Sequence, residues 1–200
     1  MLYYRIINAI YARLFAIFLG FRFKKYGRKT SIIFPAGIEG AEHISLANNV
    51  YIGYKSYLAA KPLKEDLGCV LQIGAGTSIG RFNHIYATGQ IIIGENVLTA
   101  NNVYISDNLH GYSDPDVPIM QQPVIQKRSV EIGSGSWLGH GVCVIGVKIG
   151  RHCVVGANSV VTHDIPDHCV VVGAPAKIIR RYDHASRHWR ATLDDGTFVE

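Results

Sequence analysis
From Glu131 to Pro166 the chain reads E-I-G-S-G-S-W-L-G-H-G-V-C-V-I-G-V-K-I-G-R-H-C-V-V-G-A-N-S-V-V-T-H-D-I-P. An aliphatic residue followed by a small one keeps returning: Ile132-Gly133, Leu138-Gly139, Ile149-Gly150, Val155-Gly156 and Val161-Thr162. A second small or aliphatic residue follows each pair, at Ser136, Val142, Cys153, Ser159 and Ile165. A short fixed period decides the architecture before any single residue does. A helix would place apolar residues three and four apart, and that spacing is absent. A hexad suits short strands that turn a corner at each repeat, three of them making one coil of a triangular prism. The branched residue fills the prism, and Gly turns the corner where a Cβ would crowd. The expected fold is mainly β, a parallel β-helix.

The same frame runs upstream. It begins near Ile38 and places Leu46, Ile52 and Leu58 inward, then Leu67, Ile73, Ile79 and Ile85, then Ile93, Thr99 and Ile105. It slips across Gly89 to Ile92. Two excursions leave corners of the prism, Ala60 to Asp66 and Leu109 to Pro123. Three segments are expected: 1–30, an amphipathic helix with a basic linker; 31–175, the β-helix; and 176–200, a short basic C-terminal helix with a loose tail.

The four cysteines, Cys69, Cys143, Cys153 and Cys169, form no Cys-x-x-Cys pair. They read as free thiols in a reducing compartment, the cytoplasm. Cys153 falls on an inward position, where Cys acts as a small hydrophobe; a catalytic thiol is the alternative. The net charge of +5 favours anionic partners, but no basic run with interleaved aromatics suggests nucleic acid.

The first 23 residues differ from the rest. On a helical wheel Arg5, Asn8, Ala9, Ala12, Arg13 and Ala16 share one arc, opposite Tyr3, Ile6, Ile7, Ile10, Tyr11, Leu14, Ile17 and Phe18. Arg5 and Arg13 interrupt the apolar run that a membrane span requires, and no small-residue cleavage site follows a short apolar core. Two readings stand: a helix packed on the first coils or a neighbouring subunit, or a helix lying in a membrane surface. In the second, Arg22, Lys24, Lys25, Arg28 and Lys29 would meet anionic headgroups on the inner face of the cell membrane.

The I-G-x-x-x-x-I-G pattern, V-V-G-A-N-S-V-V-T-H-D-I-P and the following V-V-G-A-P-A-K-I-I-R resemble the hexapeptide-repeat acyltransferases. The likeness spans roughly Ile44 to Tyr182 and is nearest to the branch that O-acetylates sugars and polysaccharides, with the maltose and galactoside acetyltransferases. It implies a left-handed coil, a homotrimer with sites between subunits, acetyl-CoA as donor, a sugar or polysaccharide-precursor acceptor, and no metal. The chain departs from the family at V-C-V-I-G-V-K-I-G, one residue short, so the coil at Val144 to Lys148 is shortened.

The resemblance also assigns residues. His110, in I-S-D-N-L-H-G-Y, stands where relatives carry a general base; a sugar hydroxyl needs a base of near-neutral pKa to become a nucleophile. Asp107 is placed to orient that imidazole or an acceptor hydroxyl, or to cap a turn. Asn83, in G-R-F-N-H-I, matches an acceptor-binding Asn, or bonds its own backbone. Neighbouring His84 has no role to carry over. Trp137 matches the tryptophan of the pantetheine groove, and Gly139-His140 the segment whose backbone faces the thioester oxygen. Ala157, Thr162 and His163 match backbone positions along the coenzyme, and Pro175, Lys177 and Arg180 the tail beside the nucleotide. Two rivals remain: a zinc enzyme of the γ-carbonic anhydrase kind, with three histidines on a metal between subunits, and a membrane-docked scaffold without activity.

Overall fold
A computed structural model describes residues 2–63 and 68–199. Short strands gather into three parallel sheets, one for each face of a prism. The first sheet stacks Lys25–Tyr26, Ile44–Leu46, Val70–Ile73, Gln90–Ile93, Val130–Ile132 and Lys148–Ile149. The second stacks Ser31–Ile32, Tyr51–Ile52, Ser78–Ile79, Leu98–Thr99, Trp137–Leu138, Val154–Val155 and Cys169–Val172. The third stacks Gly37–Glu39, Tyr57–Ala60, His84–Ala87, Tyr104–Ser106, Cys143–Ile145 and Val160–Val161. This parallel β-helix is consistent with the left-handed coil that the resemblance implies.

The hexad fixes the core. On the third sheet Leu58 pairs with Ile85, Ile85 with Ile105, Ile105 with Val144, and Val144 with Val161. All five are fully buried, like Leu46, Ile52, Ile73 and Ile79 of the other faces. Each such side chain contributes about 1.5–3 kcal/mol on leaving water. Corners are closed by small polar residues: Ser136 donates to the Gly150 carbonyl at 2.9 Å and accepts the Cys153 N–H at 3.0 Å. A Cβ on Gly133 would lie 2.4 Å from the Gly150 carbonyl carbon, so the stacked corners need that hydrogen.

The shortened coil keeps its register, Ile132 on Ile149 and Leu138 on Val155. The missing residue is absorbed at Gly146, whose φ of 60° is left-handed. The expected inward Leu67 lies outside the described residues, as do residues 64–66 of the excursion before it. The prism starts earlier than expected: Lys25–Tyr26, within the segment read as linker, already pairs with Ser45 and Leu46.

The N-terminal helix, Leu2–Leu19, runs into a 3-10 turn at Gly20–Arg22 and packs on the first coil. Ala12 and Phe15 are buried there; Tyr11 stacks on Phe34 at 3.8 Å between ring centroids, and Phe15 meets Phe23 and Tyr26.

The C-terminal helix is corrected. Lys177–Asp183 runs antiparallel to Cys169–Val172, and His188–Ala191 antiparallel to it, extending the second sheet by a hairpin. K-I-I-R-R-Y-D suits a strand because β-branched residues fit a pleated surface, and Ile178 turns inward over the last coil. Asp183 closes the hairpin by accepting from the Ala185 N–H and the Ser186 hydroxyl, both at 2.9 Å. The tail is not loose either: Leu193 donates to Thr197 at 2.8 Å, Thr192 bridges Phe198, and Arg190 lies over the Phe198 ring.

Candidate active site
The slip in the repeat at Gly89 to Ile92 builds the root of the longer excursion. Ile85 and Ile93 are inward residues on adjoining faces, and the extra length between them forms a wide corner at Thr88-Gly89-Gln90. Three backbone N–H groups converge there on one carboxylate: Asp107 accepts from Thr88 at 2.8 Å and from Gly89 and Gln90 at 2.7 Å each. The Thr88 hydroxyl and the Asn108 amide add bonds at 3.0 and 3.3 Å. Asp107 is fully buried and used up by the corner. It does not orient His110, which corrects its expected substrate role. Gln126 ties the returning leg to the same point, accepting from Thr88 and donating to the Asp107 carbonyl at 2.8 Å.

Anchored in this way, the excursion leaves the prism as an antiparallel pair, Asn108–His110 with Val124–Gln126. His110 faces Val124 and is exposed. Its imidazole makes no hydrogen bond to any described residue. It lines a groove of about 380 Å³ with Tyr57, His84, Tyr86, Tyr104, Asn108 and Leu109.

Sequence reasoning missed the floor of that groove. Tyr57, His84 and Tyr104 are paired neighbours on the outer face of the third sheet. Their rings stack, Tyr57 on His84 at 4.7 Å and His84 on Tyr104 at 5.5 Å. Because the faces cover one another, the polar reach of the row lies at its ring edges, where the Tyr57 hydroxyl already donates to Glu39. Desolvation holds the His84 pKa below its ordinary value, favouring the neutral ring. The signal was legible, since an aromatic precedes the inward residue in three successive coils, at Leu58, Ile85 and Ile105.

Asn83 is also corrected. It is buried, its amide donating to the Ala100 carbonyl at 2.9 Å and to Arg81 at 3.3 Å. Its oxygen accepts from the Thr99 hydroxyl and the Val103 N–H, both at 3.2 Å. All its polar capacity closes a corner, so none faces the groove.

Of the residues expected along a donor, Trp137, Lys177 and Arg180 lie on the second sheet, and the others on corners and loops. Trp137, 45% exposed, pairs with Leu98 on one side and Val154 on the other; Val154 pairs with Val170, and Val170 with Arg180. This apolar outer row ends at Arg180, whose backbone lies three strand spacings, about 14 Å, from that of Trp137. Arg180 has no ion pair among the described residues, whereas Lys177 is paired with Asp194. Gly139, His140 and Ala157 form the adjoining corner, where Asn158 donates to the His140 carbonyl at 2.7 Å. The Gly139 N–H is spent on Val155 at 2.8 Å. The N–H groups of His140 and Ala157 meet no acceptor among the described residues, so they are the donors this corner offers an oxyanion. Pro175 follows along the same edge, where Gly173 and Ala176 bond to Ser159 and Val160. Thr162 and His163 stand apart, exposed past the far end of the third-sheet strand Val160–Val161.

Among the described residues no three His, Cys, Asp or Glu side chains form a group suited to a metal. His152, His168 and His184 follow one another, but the first two rings lie stacked at 5.5 Å and the third meets His168 edge-on. Burial pushes the Cys153 thiol up to about 11, so it packs as a hydrophobe.

Residues 129–163 match the hexapeptide repeat of succinyl-transferase. Over 128 residues the chain is 36% identical to a putative lipopolysaccharide biosynthesis O-acetyl transferase, WbbJ, of Escherichia coli K12, covering 60% of this chain and 65% of that one. The galactoside O-acetyltransferase of the same organism is 35% identical over 100 residues, covering 50% and 48%. The chain thus spans less than two thirds of the length of these curated relatives. Among solved structures, AntD, an N-acyltransferase from Bacillus cereus in complex with dTDP and coenzyme A, shares the fold at 21% identity and TM-score 0.69, covering 84% and 88%. A maltose O-acetyltransferase from Clostridium difficile aligns at 25% identity and TM-score 0.53, covering 83% and 73%. With a hexapeptide repeat over residues 129–163 and a parallel prism of stacked coils, the chain resembles the hexapeptide-repeat acyltransferases, and among them the branch of sugar and polysaccharide O-acetyltransferases.

Proposed function
We propose that the chain transfers an acetyl group from acetyl-CoA to a hydroxyl of a sugar or polysaccharide precursor. The observation that carries this reading is His110, an exposed imidazole with no hydrogen-bond partner among the described residues, set in a groove lined by Tyr57, His84, Tyr86 and Tyr104. A polyhydroxylated ring suits such a wall, because each hydroxyl both donates and accepts. His110 takes the proton of one acceptor hydroxyl as its oxygen attacks the thioester carbonyl carbon. The oxyanion is met by backbone N–H groups of the His140 corner. When the C–S bond breaks, His110 returns its proton to the leaving sulfur.

Within one copy the groove and the Trp137–Arg180 row occupy different faces, on either side of the Gly139 to Val142 corner. A neighbouring copy that lays its second sheet against this third sheet brings donor and acceptor together. This reading therefore includes a homotrimer with sites between subunits, a closed ring being the usual outcome of such heterologous contacts. Relatives named as O-acetyltransferases and a fold neighbour solved with coenzyme A support the chemistry.

The test is mass spectrometry of products from acetyl-CoA and a panel of nucleotide- and lipid-linked sugars. His110→Ala should lower kcat by about 10²–10⁴-fold and leave coenzyme affinity unchanged. Absence of any acetylated saccharide with the wild-type chain would refute the reading.

A further inference from the structure
The N-terminal helix turns its small-residue side, Ala12 with Phe15, to the prism, and leaves its most apolar side bare. Tyr3, Ile6, Ile10, Leu14, Ile17 and Phe18 are exposed, and Phe21 of the following turn extends the face; Ile17 is 69%, Phe18 66% and Phe21 80% exposed. A contiguous apolar face of this kind marks an interaction surface. Charge selects the occupant. Residues 1–38 hold seven of the 20 Lys and Arg residues and none of the 15 Asp and Glu residues, so the remainder, 13 against 15, is slightly acidic. The whole positive excess therefore sits on and beside the helix, with Arg22, Lys24, Lys25, Arg28 and Lys29 all exposed. The first acids in sequence are Glu39, already paired with Lys61 at 2.8 Å, and Glu42.

We infer that this face docks the protein on an anionic lipid surface, with the helix in the plane of the headgroups and the first coil resting on them. A second copy placed on the same face would set seven cations against seven. A span is also disfavoured. Tyr3–Arg22 is long and apolar enough to cross, with a mean hydropathy of 1.3. Crossing, however, would strip Ala12 and Phe15 from the prism and carry Arg5 and Arg13 into hydrocarbon. In-plane docking needs none of this, and places the prism where a lipid-linked acceptor would be presented.

Co-sedimentation of the purified full chain with phosphatidylcholine vesicles, with and without about 30% phosphatidylserine, tests the inference without reference to activity. Binding should be strong with the anionic lipid and released by high salt, since exposed attractions are screened. Each removal of Arg22, Lys24 or Lys25 should lower partitioning by about fivefold, the equivalent of about 1 kcal/mol per cation. The double variant Ile10→Glu, Ile17→Glu retains helix-forming residues and should lose at least about tenfold. Its circular dichroism and its size by light scattering should be unchanged. No binding by the wild-type chain, or unaltered binding by the double variant, would overturn the inference. A change in oligomer size in the double variant would show a copy-to-copy interface, and binding that resists high salt and alkaline carbonate a true span; either also overturns it.

Discussion

Replacing Asp107 separates a structural role from a catalytic one. In Asp107→Ala three backbone N–H groups lose their acceptor, while the Thr88 hydroxyl keeps Gln126 at 2.9 Å. The Thr88 amide is buried and bears the full cost of an unmade bond, about 1–3 kcal/mol. Water can reach the Gly89 and Gln90 amides once the corner loosens, so about 1 kcal/mol each is the fitting figure. The sum is about 3–5 kcal/mol. At 2–4 °C per kcal/mol for a chain of this size, the unfolding midpoint should drop by roughly 6–20 °C. Asp107→Asn keeps one acceptor oxygen but turns an NH₂ toward donors, so about half that loss is expected. Amide exchange at Gly89, Gln90 and Lys127 should accelerate in both variants, because Lys127 donates to the Asp107 carbonyl at 2.7 Å. Activity should fall as His110 loses its footing. An unchanged midpoint and intact protection at Gly89 and Gln90, together with a collapse of kcat, would refute the reasoning and restore Asp107 as a partner of the imidazole.

Arg180→Ala should raise the KM for acetyl-CoA by about tenfold while Lys177→Ala changes it little, since Lys177 already has Asp194; equal effects in steady-state kinetics would contradict this. At pH 7 iodoacetamide should label Cys143 far faster than Cys69 or Cys153, whose thiols burial pushes up to about 11, as peptide mass spectrometry can read. Asp183, held down to about 2 by the Ser186 hydroxyl, the Ala185 N–H and Arg190, stabilises the terminal hairpin above the usual Asp value near 4. That contribution should fade as the pH falls from about 4 to about 2. The NMR signal of the Trp189 indole, which packs edge-on against Tyr182, should shift over that window and not above it.

The prism was legible because a hexad with branched residues and glycine leaves a chain few alternatives, and each inward residue named from the spacing is buried wherever it is described. The hairpin was not. Lys177, Arg180 and Arg181 look like a solvated helix face on charge alone, and only the unpaired edge of Cys169–Val172 makes an antiparallel strand the better use of Ile178. The site divides in the same way. His110 and Trp137 stand exposed at the positions their motifs suggested, yet Asn83 and Asp107 carry side chains that serve corners and catalysis equally well by composition. Burial decides between those uses, and burial depends on the coil above and the coil below. The aromatic row of Tyr57, His84 and Tyr104 is marked in the sequence only by a ring before each inward residue, and its members, far apart along the chain, meet only when coils stack.

A parallel coil has no natural end. Its last rung offers the same backbone pattern that accepted it, so each copy could seed the next into an unlimited rod. The hairpin of Lys177–Asp183 and His188–Ala191 answers this by reversing direction. An antiparallel rung cannot template another parallel coil, and the outermost strand shows solvent only exposed side chains, His188, Trp189, Arg190 and Ala191. At the opposite end the helix lies on the opening coil. Both stops lie outside the His110 groove, so a chain cut back to Val172 would keep that groove and Trp137, lose Arg180 from the end of the Trp137 row, and gain a sticky rung. Fibres, and not only weaker coenzyme binding, would be the consequence of losing it.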